Sequence, residues 1–172
     1  MRMADRHVAM LDGHEREYLE AARLGRLATA DAEGRPHVVP VCFAVVGDEL
    51  VTPVDEKPQT VSPRDLRRLR DLRENPRVAL VVDHYAEDWT DLGWVQVRGT
   101  ATVVEPGGAG HPAAHSTAHS TTHSTTHSAG VAALRAKYDQ YETHALEERP
   151  VVAIAPGTVR SWGRLSRPDG TE

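Results

Sequence analysis

The chain has 172 residues, 40% hydrophobic and 26% charged, a balance that suits one domain with a real hydrophobic core and argues against wholesale disorder. A formal net charge of -5 argues against a nucleic-acid binder whose surface is basic overall, and the single cysteine, Cys42, has no internal disulfide partner, so nothing points to an oxidising compartment. The opening MRMADRHVAMLDGHERE lacks the apolar stretch of a signal peptide, and no run approaches the ~20 apolar residues of a membrane helix, so the expected location is the cytoplasm, away from membranes.

Residues 12 to 24 read as a helix. Asp12 is the N-cap, Glu15 completes a capping box, Tyr18, Leu19 and Ala22 share one face, and Gly25 stops it. The next stretch, RLATADAEGRPHVVPVCFAVVGDELVTPV, carries turn signals at Ala32-Glu33-Gly34 and at Gly47-Asp48 between valine-rich runs. That pattern predicts a three-strand meander over residues 26–31, 36–46 and 49–54.

After the loop DEKPQTVSP comes a second helix, with Ser62 as cap, Pro63 in its first turn and Asp65 completing the capping pattern. Leu66, Leu69 and Leu72 form a narrow apolar stripe, while Arg64, Arg67, Arg68, Arg70 and Arg73 occupy the other faces. Asn75-Pro76 ends the helix, because a residue before proline disfavours the helical region. RVALVVD (77–83) is a short apolar strand, HYAEDWTDLG an acidic, aromatic loop, and WVQVRGTATVV (94–104) a long half-buried strand. In that strand Val95, Val97 and Gly99 stand opposite Gln96, Arg98 and Thr100. Residues 107–130 are a low-complexity tract. VAALRAKYDQYETHAL then reads as a third helix, and PVVAIAPGTVRSW as one or two last strands. Tight turns between strands mean antiparallel pairing, so a barrel or closed sheet with peripheral helices is expected rather than a βαβ sheet.

No GxGxxG, P-loop, GxSxG, HExxH or CxxC is present, so the chemistry needs no side-chain nucleophile announced by a known local motif. Arg67, Arg68 and Arg70, with Lys57 and the hydroxyl of Thr60 just before them, suit a phosphate: guanidinium forks donate two hydrogen bonds to one phosphate, and a helix N-terminus adds a favourable dipole. The same helix also reads as a solvated face whose arginines pair with Asp65, Asp71 and Glu74. His111, His115, His119, His123 and His127 recur every four residues. On a helix they would stack for a metal, but serine and threonine between them are poor helix formers, so a disordered surface repeat is expected and no metal site is assigned. Cys42, inside an apolar strand, reads as a small buried hydrophobe. His84, beside Tyr85, Glu87, Asp88 and Trp89, is either a proton donor at a pocket mouth or a structural loop histidine.

The ordered set LATADAEGRPHVVPVCFAV, EKPQTVSPRDLRRLRDLRENPRVALVVDHYAEDW and WVQVRGTATVVEP resembles the pyridoxamine 5'-phosphate oxidase-like split-barrel family. It is most similar to the branch of F420-dependent oxidoreductases of the PPOX class. The likeness runs from about Gly25 to Pro106 and resumes from Ala132 to Gly163. It implies a mainly β fold with helices, a six-stranded antiparallel split β-barrel, and a homodimer with two cofactor sites at its interface. It also implies an oxidoreductase acting on a small planar substrate with reduced deazaflavin F420, or alternatively FMN; a non-catalytic flavin or haem carrier is a further alternative. By the same likeness Arg68 anchors the cofactor phosphate, with Arg67, Arg70 and Lys57 as neighbours. Val39, Pro40, Val41, Thr52 and Val54 border the ring, Trp94 reaches it from across the dimer, and His84 or Tyr85 supplies a proton.

Overall fold

Valine-rich runs with period-two alternation pair into one antiparallel sheet, and the leucine-striped segments become the helices that fill it. The computed structural model describes residues 4–6, 10–54, 66–108 and 125–165. In chain order these form β1 (Ala4–Arg6), α1 (Gly13–Ala21), β2 (Gly25–Ala30), β3 (Pro36–Val41), β4 (Ala44–Val46), β5 (Glu49–Pro53), α2 (Arg67–Glu74), β6 (Arg77–His84), β7 (Gly93–Val104), α3 (His127–Lys137) and β8 (Val151–Gly163). The strands run β3-β2-β6-β7-β8-β5-β4, with the short β1 added on β8, and every pairing is antiparallel. This curled sheet has the architecture of a split barrel.

The continuous path holds seven strands among the described residues, not the expected six. The extra one arises because the span 36–46 breaks at Cys42-Phe43. There the Phe43 amide donates to the Tyr138 hydroxyl at 3.0 Å, and that hydroxyl lies 2.9 Å from the Phe43 carbonyl, so the backbone groups of Phe43 turn to a side chain instead of a neighbouring strand. Other boundaries also move. α1 ends at Ala21, and Gly25 opens β2 rather than closing the helix, although the Asp12–Glu15 capping box forms as read. The described part of the second helix is Arg67–Glu74; Ser62, Pro63 and Asp65 lie outside the described residues. α3 starts at His127, inside the low-complexity tract, and ends at Lys137, after which the chain makes short 3-10 turns at Asp139–Glu142 and Leu146–Glu148. The last segment is one strand, β8.

Two cores sit on opposite faces of the sheet. On the inner face, Tyr18 and Leu19 of α1 and Leu69 and Leu72 of α2 pack on Leu27, Leu80, Val95, Val97 and Ile154. On the outer face, Val131, Leu134 and Tyr138 of the α3 segment pack on Val51, Val104, Val151 and Ala153. A bulge separates the two halves of β8: Arg98 pairs with Thr158 but Gly99 with Pro156, which leaves Gly157 as the extra residue. Here β7 and β8 approach so closely that a Cβ on Gly99 would run into the Ala155 carbonyl oxygen. Beyond the bulge the outer face carries Ala28, Val38, Ala79, Val81, Trp94 and Trp162, which stay partly or fully open; Val38 is 60% exposed. Among the described residues no helix is long and apolar enough to cross a membrane, which leaves spanning strands unaddressed.

Candidate functional site

Burial of Leu69 and Leu72 against the sheet turns the rest of α2 outward. Arg67 and Arg70, three residues apart, therefore share one exposed face. They line a cleft of about 530 Å³ together with Asp31, Glu33, Arg35, Asp71 and Glu74. Its far wall is the β2–β3 turn, where Gly34 adopts φ 78°, the left-handed region that glycine enters at little cost.

Each carboxylate in this cleft already has a partner. Asp31 accepts from Arg35 Nε at 2.6 Å and from the Arg35 amide at 2.9 Å, and these bonds hold its carboxyl below the usual range. Glu33 accepts from Arg35 at 2.8 Å, and Glu74 from the Ala32 amide at 3.2 Å. Asp71 is buried and accepts from the Thr29 hydroxyl at 2.6 Å. Arg67 reaches Asp71 only at 3.9 Å, and Arg70 has no ion-pair partner among the described residues. Arg70, and Arg67 beyond its long contact with Asp71, are the cations of the cleft left to meet an anion, while Glu74, held by an amide, and Asp71, held chiefly by a hydroxyl, keep their negative charge nearby. Arg68 lies about 100° around the helix from Arg67 and is half-buried.

A smaller hollow, about 160 Å³, lies at the other end of the sheet between α1, β2 and β6, lined by Tyr18, Arg23, Arg26, Asp83 and His84 among others. Both His84 ring nitrogens are engaged there: Nδ1 shares a 2.8 Å hydrogen bond with the Tyr18 hydroxyl, and Nε2 donates to the Asp91 carbonyl. Tyr85 is 72% exposed. The chain's three tryptophans gather at this end: Trp89, 76% exposed, on a 3-10 turn, and Trp94 paired across strands with Trp162.

The remaining site residues read from sequence divide between faces. Lys57 and Thr60 lie outside the described residues. Val41, Thr52 and Val54 are buried and Val39 packs against the inner core, whereas Pro40 and Trp94 face outward. Within one chain the structure brings Arg67 and Arg70 together at the cleft and Val39, Val41 and Val54 together in the inner core, while Pro40 and Trp94 stand on the other face. His127, the last of the tract histidines, is buried in α3 with Nε2 donating to the Arg149 carbonyl at 2.7 Å; the other four lie outside the described residues.

Two groupings escaped the sequence reading. One is the Thr29–Asp71 bond, with His37 beside it: His37 stands opposite Thr29 in the β2–β3 register. Burial lowers the His37 imidazole from its usual range; Arg67 and Arg68 add to the effect and Asp71 opposes it. The other is Lys137, whose Nζ sits 4.1 Å from the centre of the Phe43 ring and donates to the Leu19 carbonyl at 3.0 Å. Burial, reinforced by Arg23, pushes this amine down to about 8. No local motif marks either grouping, because each joins elements distant in sequence.

Comparison with known proteins adds four findings. The family profile described as Pyridoxamine 5'-phosphate oxidase matches residues 11–163. A 5a,11a-dehydrotetracycline/5a,11a-dehydrooxytetracycline reductase of Streptomyces rimosus is 38% identical over 97 residues, covering 53% of this chain and 62% of the relative. Among solved structures, a conserved hypothetical protein of Mycobacterium tuberculosis superposes with TM-score 0.64 at 20% identity, covering 96% of this chain and 94% of the other. A FAD-binding protein of Mesorhizobium loti superposes with TM-score 0.56 at 23% identity, covering 94% and 97%. These two structures share the fold.

Proposed function

The chain belongs to the pyridoxamine 5'-phosphate oxidase family over residues 11–163, and on that footing we propose that it is an oxidoreductase that uses reduced deazaflavin F420 as hydride donor to a small planar substrate. The observation that carries this reading is the pair Arg67 and Arg70, open to a cleft in which every carboxylate is already partnered. Such a donor set fits the anionic tail of a flavin-type cofactor. The Streptomyces rimosus relative, by its name a dehydrotetracycline reductase, supports the reductive direction of the reaction.

When bound, the reduced ring supplies the hydride. The chain's own residues bind and orient. Arg67, Arg68 and Arg70 hold the anionic tail, with Lys57 and Thr60 adjacent in sequence. Pro40 on the outer face of β3 and Trp94 of the partner subunit border the ring, while Val39, Val41, Thr52 and Val54 form the packed wall that keeps β3 and β5 in place. Tyr85, exposed, is the side chain we assign to proton delivery, whereas His84, tied to Tyr18 and Asp91, positions that end of the sheet. The homodimer uses the outer face of β3, β2, β6, β7 and the second half of β8, which α3 leaves uncovered.

Titration of the purified protein with F420, read by quenching of cofactor fluorescence, tests the assignment. Arg70→Ala and Arg67→Ala should each weaken binding roughly 10-fold to 150-fold, because a hydrogen bond to a charged group contributes about 1.5–3 kcal/mol. Stability should change by no more than about 0.5 kcal/mol, as for an exposed surface substitution. Unchanged affinity in these variants, in Arg68→Ala and in the triple variant sinks the anion-site reading. A protein that emerges yellow with FMN and ignores F420 assigns the FMN alternative, and binding without steady-state turnover assigns a carrier.

A further inference from the structure

His37 belongs to no hydrogen bond among the described residues, unlike His84, both of whose ring nitrogens are bonded, and His127, whose Nε2 donates to the Arg149 carbonyl. Its place is not accidental. In an antiparallel pair, residues directly opposite project from the same face of the sheet. His37 is opposite Thr29, and the Thr29 hydroxyl is bonded to Asp71 of α2, so the half-buried imidazole stands on the side of β3 where α2 packs. Among the described residues the charged groups acting on it there are Arg67, Arg68 and Asp71, all from α2. From β2 it meets the neutral Thr29. The carboxylate of Asp71 is already shared between Thr29 and Arg67.

We infer that His37 is a further residue of the anion site at α2, neutral while the site is empty and protonated when an anion settles among Arg67, Arg68 and the imidazole. This rests on the reading of α2 as the anchor of an anionic ligand. Two guanidiniums disfavour a third cation beside them, and burial adds to that penalty. An anion between the arginines cancels their share of it and offers the imidazole an acceptor. Proton and anion then bind with positive coupling, and each raises the affinity of the other by the same factor. Among the described residues the ring nitrogens of His37 make no hydrogen bond and Asp71 is the one carboxylate acting on it, which makes His37 the group that responds.

The test uses the full chain and sulfate, an anion whose charge stays fixed where histidine titrates. His37 ring-proton shifts, identified by their loss in His37→Gln, are followed against pH with and without sulfate. Sulfate should move the titration midpoint up by roughly half to one pH unit. An unmoved midpoint, while sulfate shifts backbone resonances of α2, overturns the inference and leaves the anion site standing; sulfate that shifts neither overturns both. A second measurement follows F420 binding at about pH 7.5 and about pH 5.5. Wild type should tighten about 3-fold to 10-fold more than His37→Gln as pH falls. His37→Lys, permanently charged, should bind tightly with a flat profile. Parallel pH profiles for wild type and His37→Gln would also overturn the inference, and equal melting temperatures show that the variants remain folded.

Discussion

The amine of Lys137 rests on the Phe43 ring with one carbonyl, that of Leu19, to accept from it. Burial lowers it to about 8, while an unfolded chain keeps a lysine near 10.5. Between those values the unfolded state binds the extra proton, so stability should rise as pH climbs from about 8 to about 10.5, and be lost again as pH falls through the folded value. Lys137→Met should flatten that rise, measured as the difference between the urea midpoints of wild type and variant across pH. A wild-type profile no steeper than the variant's would show the amine to be better solvated than its position indicates. Single-residue roles set by local chemistry were legible in sequence: Asp12 and Glu15 form the expected capping box, Leu66, Leu69 and Leu72 are buried, and Cys42 is buried. Lys137, Thr29 and His37 were not, because their partners are fixed by packing between α1 and α3 or by the register of β2 on β3.

Elements were legible where periodicity decides them and blurred where a tertiary contact does. β6 and β7 fall within a residue of their expected limits, since alternation and turns define them. The strand expected over 36–46 splits because of Tyr138, about a hundred positions away in sequence, which nothing local announces. Tyr138→Phe should therefore cost about 1–3 kcal/mol, the penalty of leaving the buried Phe43 amide without its acceptor. Chemical denaturation measures this, and a loss under about 0.5 kcal/mol would mean that the strand re-pairs across the break. α3 starts earlier than expected for a different reason. The repeat that looked structureless supplies its own cap: the Thr126 hydroxyl accepts from the Ala129 amide at 3.2 Å. The helix ends at Lys137 because Tyr138, needed at Phe43, is held in an extended conformation.

For the molecule as a whole, Gly157 divides the outer face of the sheet. On one side of the bulge α3 covers it; on the other, Ala28, Ala79 and Val81 form an apolar patch with Val38 at its edge. A second copy of the chain is the proposed cover, so Val81→Asp should shift the species seen by light scattering from dimer to monomer while the inner core stays intact. A monomeric wild type at micromolar concentration would refute that assembly. Antiparallel topology and the half-barrel were readable from turn spacing, but which half of the outer face stays bare depends on a one-residue irregularity in β8 that composition does not announce. The gathering of Trp89, Trp94 and Trp162 at one end has a practical consequence. Intrinsic emission from this protein is a local gauge: it reports the β6–β7 hairpin and the end of β8. Circular dichroism, by contrast, averages over every element. If the two melting curves coincide, the barrel opens as one cooperative unit; an emission change at lower temperature would mark the hairpin end as a separately opening unit.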